Sequence, residues 1–211
     1  MKLKKIASLM LAGIMAVSML AGCKSADNGN GGASSSQPVQ NSGFTSTVLN
    51  ETKESTRLVL KESSNDKLDK AVAFAAANHV ENNAKETLTY VDEGWEYQTL
   101  ADKVMTGKDV VYADNDGNDN VPTKVNGAKD ATVYIMYTVS RTMSDEWIAQ
   151  TVADQLDTWA EKLSESTSDE TYDYTVRVAK ADSIKGDDAS RKDDAVVVGI
   201  AITVDYTKVN Y

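Results

Sequence analysis

Ala195-Val-Val-Val-Gly199-Ile-Ala-Ile-Thr-Val-Asp-Tyr206 is the stretch that decides the fold class. Its alternation places Val196, Val198, Ile200, Ile202 and Val204 on one face, with small residues such as Gly199 and Ala201 opposite, the period-two signature of a buried strand. Tyr172 to Lys180 alternates in the same way. The Ser183-to-Asp194 segment between them is polar and too short for a crossover helix, so the two strands are expected to form an antiparallel hairpin.

Upstream, Ala131 to Arg141 alternates with Val133, Ile135, Tyr137 and Val139 on one face and reads as a third strand. Ser144 follows as a helix N-cap, with Asp145 and Glu146 in the first turn where the helix dipole favours acids. Ile148, Val152, Leu156, Trp159 and Leu163 step by four, four, three and four, which gives an amphipathic helix with a single apolar stripe. Ser63 offers another N-cap, with Asp66 three residues on. The expected helix runs from about Ser64 to Glu86 on a stripe of Leu68, Val72, Ala75 and Ala76.

The remaining elements are weaker. Thr56 to Glu62, with Leu58 and Leu60 on one face, reads as a first strand, with a further extended stretch at Thr45 to Leu49. Asp92 to Met105 reads as a short helix with Trp95, Leu100 and Val104 inward and Gly107 as its stop. Val110-Val111-Tyr112 is a short strand, and Asp114 to Asn120 a turn. The expected architecture is α+β: an antiparallel β-sheet with two to three helices packed on one face. Residues 44–211 form one acidic domain, long enough for a real core.

The first twenty-two residues carry a different signal. Lys2, Lys4 and Lys5 make a positive start, and Ile6 to Met19 is an apolar stretch in the length range of a secretory signal, too short to span a bilayer. Leu20-Ala21-Gly22-Cys23 follows. This resembles the lipobox of bacterial lipoproteins, a hydrophobic residue and two small ones before a cysteine. The resemblance implies cleavage between Gly22 and Cys23 and a diacylglycerol thioether on Cys23, with acyl chains of palmitate type. Leu20, Ala21 and Gly22 would be the recognition residues of the signal peptidase. Cys23 is the only cysteine of the chain, so no intramolecular disulfide can form. A single acyl chain holds only marginally, at about 0.8 kcal/mol per buried methylene, whereas two hold firmly.

From Lys24 to Gly43 the composition collapses to Ser, Asn, Gly, Ala and Gln. Such a run cannot bury enough apolar surface to offset its ordering entropy and reads as a disordered tether with a reach on the order of 25 Å. Losing residues 1–22 removes three lysines and no acid, which leaves 19 basic against 32 acidic residues and a charge of −13. That charge argues against nucleic acid as a partner and against added adsorption to anionic lipid.

Asp114, Asp116 and Asp119 around Gly117 suggest a calcium loop, because hard cations take several closely spaced oxygens. With Gly117 at the sixth position, the first falls on Tyr112 and the twelfth on Thr123, so both terminal carboxylates of the EF-hand pattern are missing. The segment reads as a turn with weak cation ligands at most. His79, the only histidine, lies on the stripe of Leu68, Val72 and Ala75, which continues through Asn82, Asn83 and Glu86. His79, Asn82 and Glu86 are therefore candidate ligand contacts. His79 and Glu86 stand roughly 10 Å apart along a helix axis and cannot share one ion alone. Trp147 falls about 150° from the apolar centre of its helix and is a candidate partner contact, or else folds back onto the core.

No catalytic constellation emerges. The lone cysteine is assigned to lipid, and no G-x-S-x-G elbow, H-E-x-x-H, P-loop or G-x-G-x-x-G is present. A carboxylate-pair hydrolase is a further alternative, since sequence spacing does not report spatial pairs. No cofactor is implied. The leading reading is a non-enzymatic interaction or binding module of the cell envelope, attached to the membrane through lipid on Cys23 and contacting an envelope protein or polymer. The alternative is a small-ligand or cation-binding accessory lipoprotein of a transport system. The expected location is the outer face of the cell membrane, or the periplasmic face of a membrane in a Gram-negative envelope.

Overall fold

The structure is a computed structural model, and it describes residues 43–78, 84–90, 110–112, 120–127, 129–183 and 195–209. The expected helix Asp92–Met105, most of the Asp114–Asn120 turn and the signal and tether up to residue 42 lie outside the described residues.

The long alternating stretches form the centre of the sheet. Strand β4 (Ala131–Ser140), β5 (Glu170–Ser183) and β6 (Ala195–Lys208) pair antiparallel in the order β5-β6-β4. The register runs from Glu170↔Lys208 to Ser183↔Ala195 on one side of β6 and from Ala131↔Val204 to Ser140↔Ala195 on the other. The expected hairpin is therefore present. Because β4 and β5 both oppose β6, they run parallel to each other. The helix Asp145–Ala160 between them is the crossover of a split β-α-β unit.

Three short strands complete the sheet. Leu60–Glu62 (β1) pairs parallel with β5, Leu60 opposite Tyr174. Thr89–Tyr90 (β2) pairs antiparallel and Val110–Tyr112 (β3) parallel with the outer edge of β4. The chain is α+β as expected, with an antiparallel centre and short additions at its margins, two parallel and one antiparallel.

On one face of the sheet, Val133, Ile135, Tyr137, Val139, Val176, Val178, Val198, Ile200 and Ile202 are buried. Three helices cover them, in line with the expected packing. They are α1 (Phe44–Glu51), α4 (Asn120–Gly127) and α5, the Asp145–Ala160 crossover. Ile148, Val152, Leu156 and Trp159 of α5 are fully buried, so its sequence stripe is its packing face. Ser144 caps it by accepting the Trp147 N–H at 3.1 Å.

The opposite face carries one more helix, α3 (Asp66–Asn78). Its Leu68, Ala71, Val72, Ala75 and Ala76 sit over Ala179, Ala181, Val197 and Ala201, with Tyr134 and Met136 beside them. The helix comes so close that a Cβ on Gly199 would lie 2.4 Å from Val72 Cγ2 and 2.8 Å from Leu68 Cδ1. Glycine is required there by close approach, with no demand on φ.

Several short elements differ from expectation. The segment expected as a strand at Thr45–Leu49 is helix α1, because Phe44, Val48 and Leu49 share one buried helical face. Most of the expected Thr56–Glu62 strand is helix α2 (Glu54–Val59), and only Leu60–Glu62 is extended. The cause is tertiary. Asp157 of α5, only 7% exposed, accepts the Lys53 N–H at 3.0 Å and the Thr56 hydroxyl at 2.5 Å. It thus caps α2 from another helix. Ser63 is not the cap of α3. Asn65 Oδ1 accepts the Leu68 N–H at 2.9 Å and fills that role. Nor does the helix continue to Glu86, since Ala84–Leu88 is irregular. The Lys85 carbonyl there accepts the Ser140 N–H at 2.7 Å, which draws the segment onto the margin of β4. Asn120, placed in the turn by sequence, opens α4, whose Val121 and Val125 are buried.

The free margin of β5 is closed by hydroxyls on either side of β1. Ser166 Oγ accepts the Tyr172 N–H at 2.9 Å and donates to the Tyr172 carbonyl at 3.3 Å. Thr45 Oγ1 does the same for Val178, both at 3.0 Å. Arg177 reinforces that end, with Nε and Nη2 donating to Asp69 at 3.0 and 3.1 Å and Nη1 donating to Thr45 at 3.2 Å.

Candidate functional site

The residues singled out from sequence do not come together. Trp147 is half-buried and packs against the large-residue core, which is the packing alternative and not an exposed contact. Glu86 is exposed in the irregular segment before β2 and stands on no helix. His79, Asn82, Asp114, Asp116, Asp119 and the lipobox residues Leu20 to Cys23 lie outside the described residues. Among the described residues, no three His, Cys, Asp or Glu side chains are placed to hold a metal ion, and no helix is long and apolar enough to cross a membrane.

The structure does build a groove of about 470 Å³ where α2 and the end of α5 meet the start of β5. Two of its lining residues are among the exposed large apolar side chains of the described residues. Leu58 is 69% exposed and Val59 is 37% exposed. Lys61, Glu161, Glu165 and Asp173 supply its charges. Single exposed aliphatic residues are ordinary on protein surfaces, but an adjacent pair inside a concavity is a candidate contact.

Each wall has a physical reason for its position. Asp157 fixes α2, as described above, and the Arg57 guanidinium donates to the Thr52 carbonyl within the α1–α2 corner. Lys53 Nζ donates to Glu161 Oε1 at 3.0 Å. That hydrogen bond and the charge of Glu161 raise the Lys53 pKa above its ordinary value. Both partners are well exposed, so the pair positions side chains more than it stabilises the fold.

The turn after α5 is held by Asn126 of α4. Asn126 Nδ2 donates to the Lys162 carbonyl at 3.0 Å, and its Oδ1 accepts the Ser164 N–H at 3.1 Å. Tyr174, whose hydroxyl donates to the Ser164 carbonyl at 3.1 Å, closes the floor. Burial pushes its phenol pKa up.

Beside the groove lies a tyrosine cluster on one carboxylate. Tyr172 stacks on Tyr174 with ring centroids 6.3 Å apart and 5° between planes, and meets Tyr206 at 5.2 Å and 49°. Glu170 accepts the Tyr206 hydroxyl at 2.6 Å and the Tyr172 hydroxyl at 3.1 Å. The Lys129 ammonium sits 4.0 Å from the Tyr206 ring centroid. The Tyr206 bond, then the Tyr172 bond, hold the Glu170 pKa below its ordinary value. The Glu170 bond raises Tyr206, and desolvation followed by the same carboxylate raises Tyr172. These shifts make Glu170 a weaker base and the two phenols weaker acids, the reverse of what proton transfer near neutral pH requires.

Sequence reasoning missed the groove because it placed Leu58 on the inner face of a strand. The paired Tyr172 and Tyr206 were visible as aromatic residues near the ends of alternating runs, but their shared carboxylate depends on the β5–β6 register.

Comparison of the chain with protein-family models, with curated proteins and with solved structures found no match.

Proposed function

We propose that this chain is a membrane-anchored extracytoplasmic lipoprotein whose folded part is a non-enzymatic interaction module of the cell envelope. The observation that carries the anchoring is Leu20-Ala21-Gly22-Cys23 directly after a basic start and a short apolar stretch, in a chain with no other cysteine. In support of an interaction role, Leu58 and Val59 stand exposed in a groove on the folded domain.

The anchor is tested by Cys23→Ser in cells fed a labelled fatty acid. The expected result is loss of the label and either release of the protein or accumulation of the uncleaved precursor. Unchanged labelling in the variant overturns the assignment.

A further inference from the structure

We propose that the groove between α2 and the start of β5 seats a basic peptide segment of a partner protein, its aliphatic side chains against Leu58 and Val59 and its cations against the acidic rim. This deepens the interaction reading above and rests on it for biological context.

Charge identifies the occupant. Glu161 is shared with Lys53, and the remaining acids Glu165 and Asp173 outnumber Lys61 along the lining, in a chain that as a whole carries a charge of −10. An acidic concavity around apolar side chains complements a segment that mixes Lys or Arg with aliphatic residues, and it repels an acidic one. Leu58 is 69% exposed, so covering it removes apolar area from water with little rearrangement of the domain.

A glycan fits less well. Tyr172 is the groove's partly exposed aromatic residue, and its ring already packs on Tyr174 and Tyr206 while its hydroxyl is committed to Glu170. A sugar would find no free stacking platform there. Strand addition is also disfavoured, because Ser166 already satisfies the outward N–H and carbonyl of Tyr172. Recognition would therefore run through side chains.

The position of the groove agrees with presentation to a partner. Helix α1 begins after Gly43, whose φ of 102° only glycine adopts freely. The next residues lie at the far end of β5. Thr45 bonds Val178, and the Phe44 ring lies 5.2 Å from the Lys180 ammonium. Asp173 in the groove is seven residues back along the same strand, roughly 23 Å away at the rise of a β-strand. The groove thus sits at the end of the sheet away from the point where residue 43 joins it.

The test uses the full chain as recovered from membranes, in nanodiscs of zwitterionic lipid with empty nanodiscs as the blank. Three fluorescent nonapeptides serve as probes: one with leucines among lysines, one with glutamine for every lysine, and one with glutamate for every lysine. Fluorescence anisotropy in physiological salt should show binding of the basic peptide and at least a tenfold weaker response to the other two. Leu58→Asn and the pair Glu165→Lys with Asp173→Lys should each weaken binding fivefold or more. The exposed charge reversal Asp154→Lys, outside the groove, should change it less than twofold. Equal losses from Asp154→Lys and from the pair Glu165→Lys with Asp173→Lys would mean adsorption by net charge and overturn the proposal. So would undiminished binding by Leu58→Asn, or preference for a cell-wall glycan fragment over the peptide. Peptide binding by a chain in which Cys23→Ser leaves fatty-acid labelling unchanged would overturn the anchor alone, and an anchored chain without peptide binding would overturn the groove alone.

Discussion

The two faces of the sheet solve the same packing problem in opposite ways. One face presents Val, Ile and Tyr side chains and is filled by three helices, of which α5 brings Trp159, Leu156 and Ile148. The other presents Ala179, Ala181, Gly199 and Ala201 and, among the described residues, takes a single helix, α3, almost onto the backbone. Packing at native density can be reached by interdigitating large groups or by removing them and closing the distance. The first face should therefore be sensitive to losing volume and the second to gaining it.

The largest expected effect tests the first face. Trp159→Ala removes its largest fully buried side chain and should cost about 3–5 kcal/mol, read as a lower urea midpoint. A cost under about 1 kcal/mol would mean that the three helices close up around the gap and that volume is not what holds this face.

Asp157→Ala should follow, at about 2–3 kcal/mol, because it strands the Lys53 N–H and the Thr56 hydroxyl in a largely buried corner. Hydrogen exchange should show the loss concentrated in α2. Uniform loss across α5 and the sheet would show that Asp157 acts through the core and not as a cap.

Gly199→Ala tests the second face and should cost about 1–3 kcal/mol by overfilling. Val72→Ala removes the methyl that the new Cβ would strike. Combined with Gly199→Ala it should destabilise less than the sum of the two single changes. Strict additivity in that cycle would refute the claim of direct contact.

The smallest effect is in pH dependence at the tyrosine cluster. The Glu170 pKa is held below its ordinary 4.5, so its contribution is present above that value and fades as pH falls through the lowered one. Tyr172 and Tyr206 are raised above 10.0. Their contribution is complete below about pH 10 and fades as pH rises through the raised values. Glu170→Gln should flatten both limbs of the stability profile by lowering its middle slightly, with the two extremes close to unchanged. A flat wild-type profile at both extremes would remove the cluster as a source of pH dependence.

The comparison also explains what could be read from sequence. Strands β4, β5 and β6 and helix α5 were legible because each is long and keeps one period throughout. The small residues opposite Val196 to Val204 were visible as well, but their meaning was not. They could mark a solvent face or a close-packed helix, and only Gly199 against Val72 decides. That is why a second covered face went unforeseen. Helices α1 and α2 were misread because each is at most eight residues long and one is capped by Asp157, about a hundred residues away in sequence. The groove inherited that blindness, since Leu58 faces outward only if α2 is helical. The Tyr172–Glu170–Tyr206 cluster needed the hairpin register, which pairs Tyr172 with Tyr206, and sequence gave the hairpin without its register.

The hydroxyls of Ser166 and Thr45 have a consequence for many copies together. A strand with open backbone groups is a template on which a second molecule can polymerise, and crowding on a surface multiplies the chances. On the anchoring proposed above, copies of this protein would share a two-dimensional layer. The outermost strand beside β5 is only three residues long, and the positions flanking it, Tyr172 and Val178, already have side-chain partners. Two small hydroxyls thus act as terminators, so that even in a dense coat this margin of the sheet would not seed a mat of fibrils.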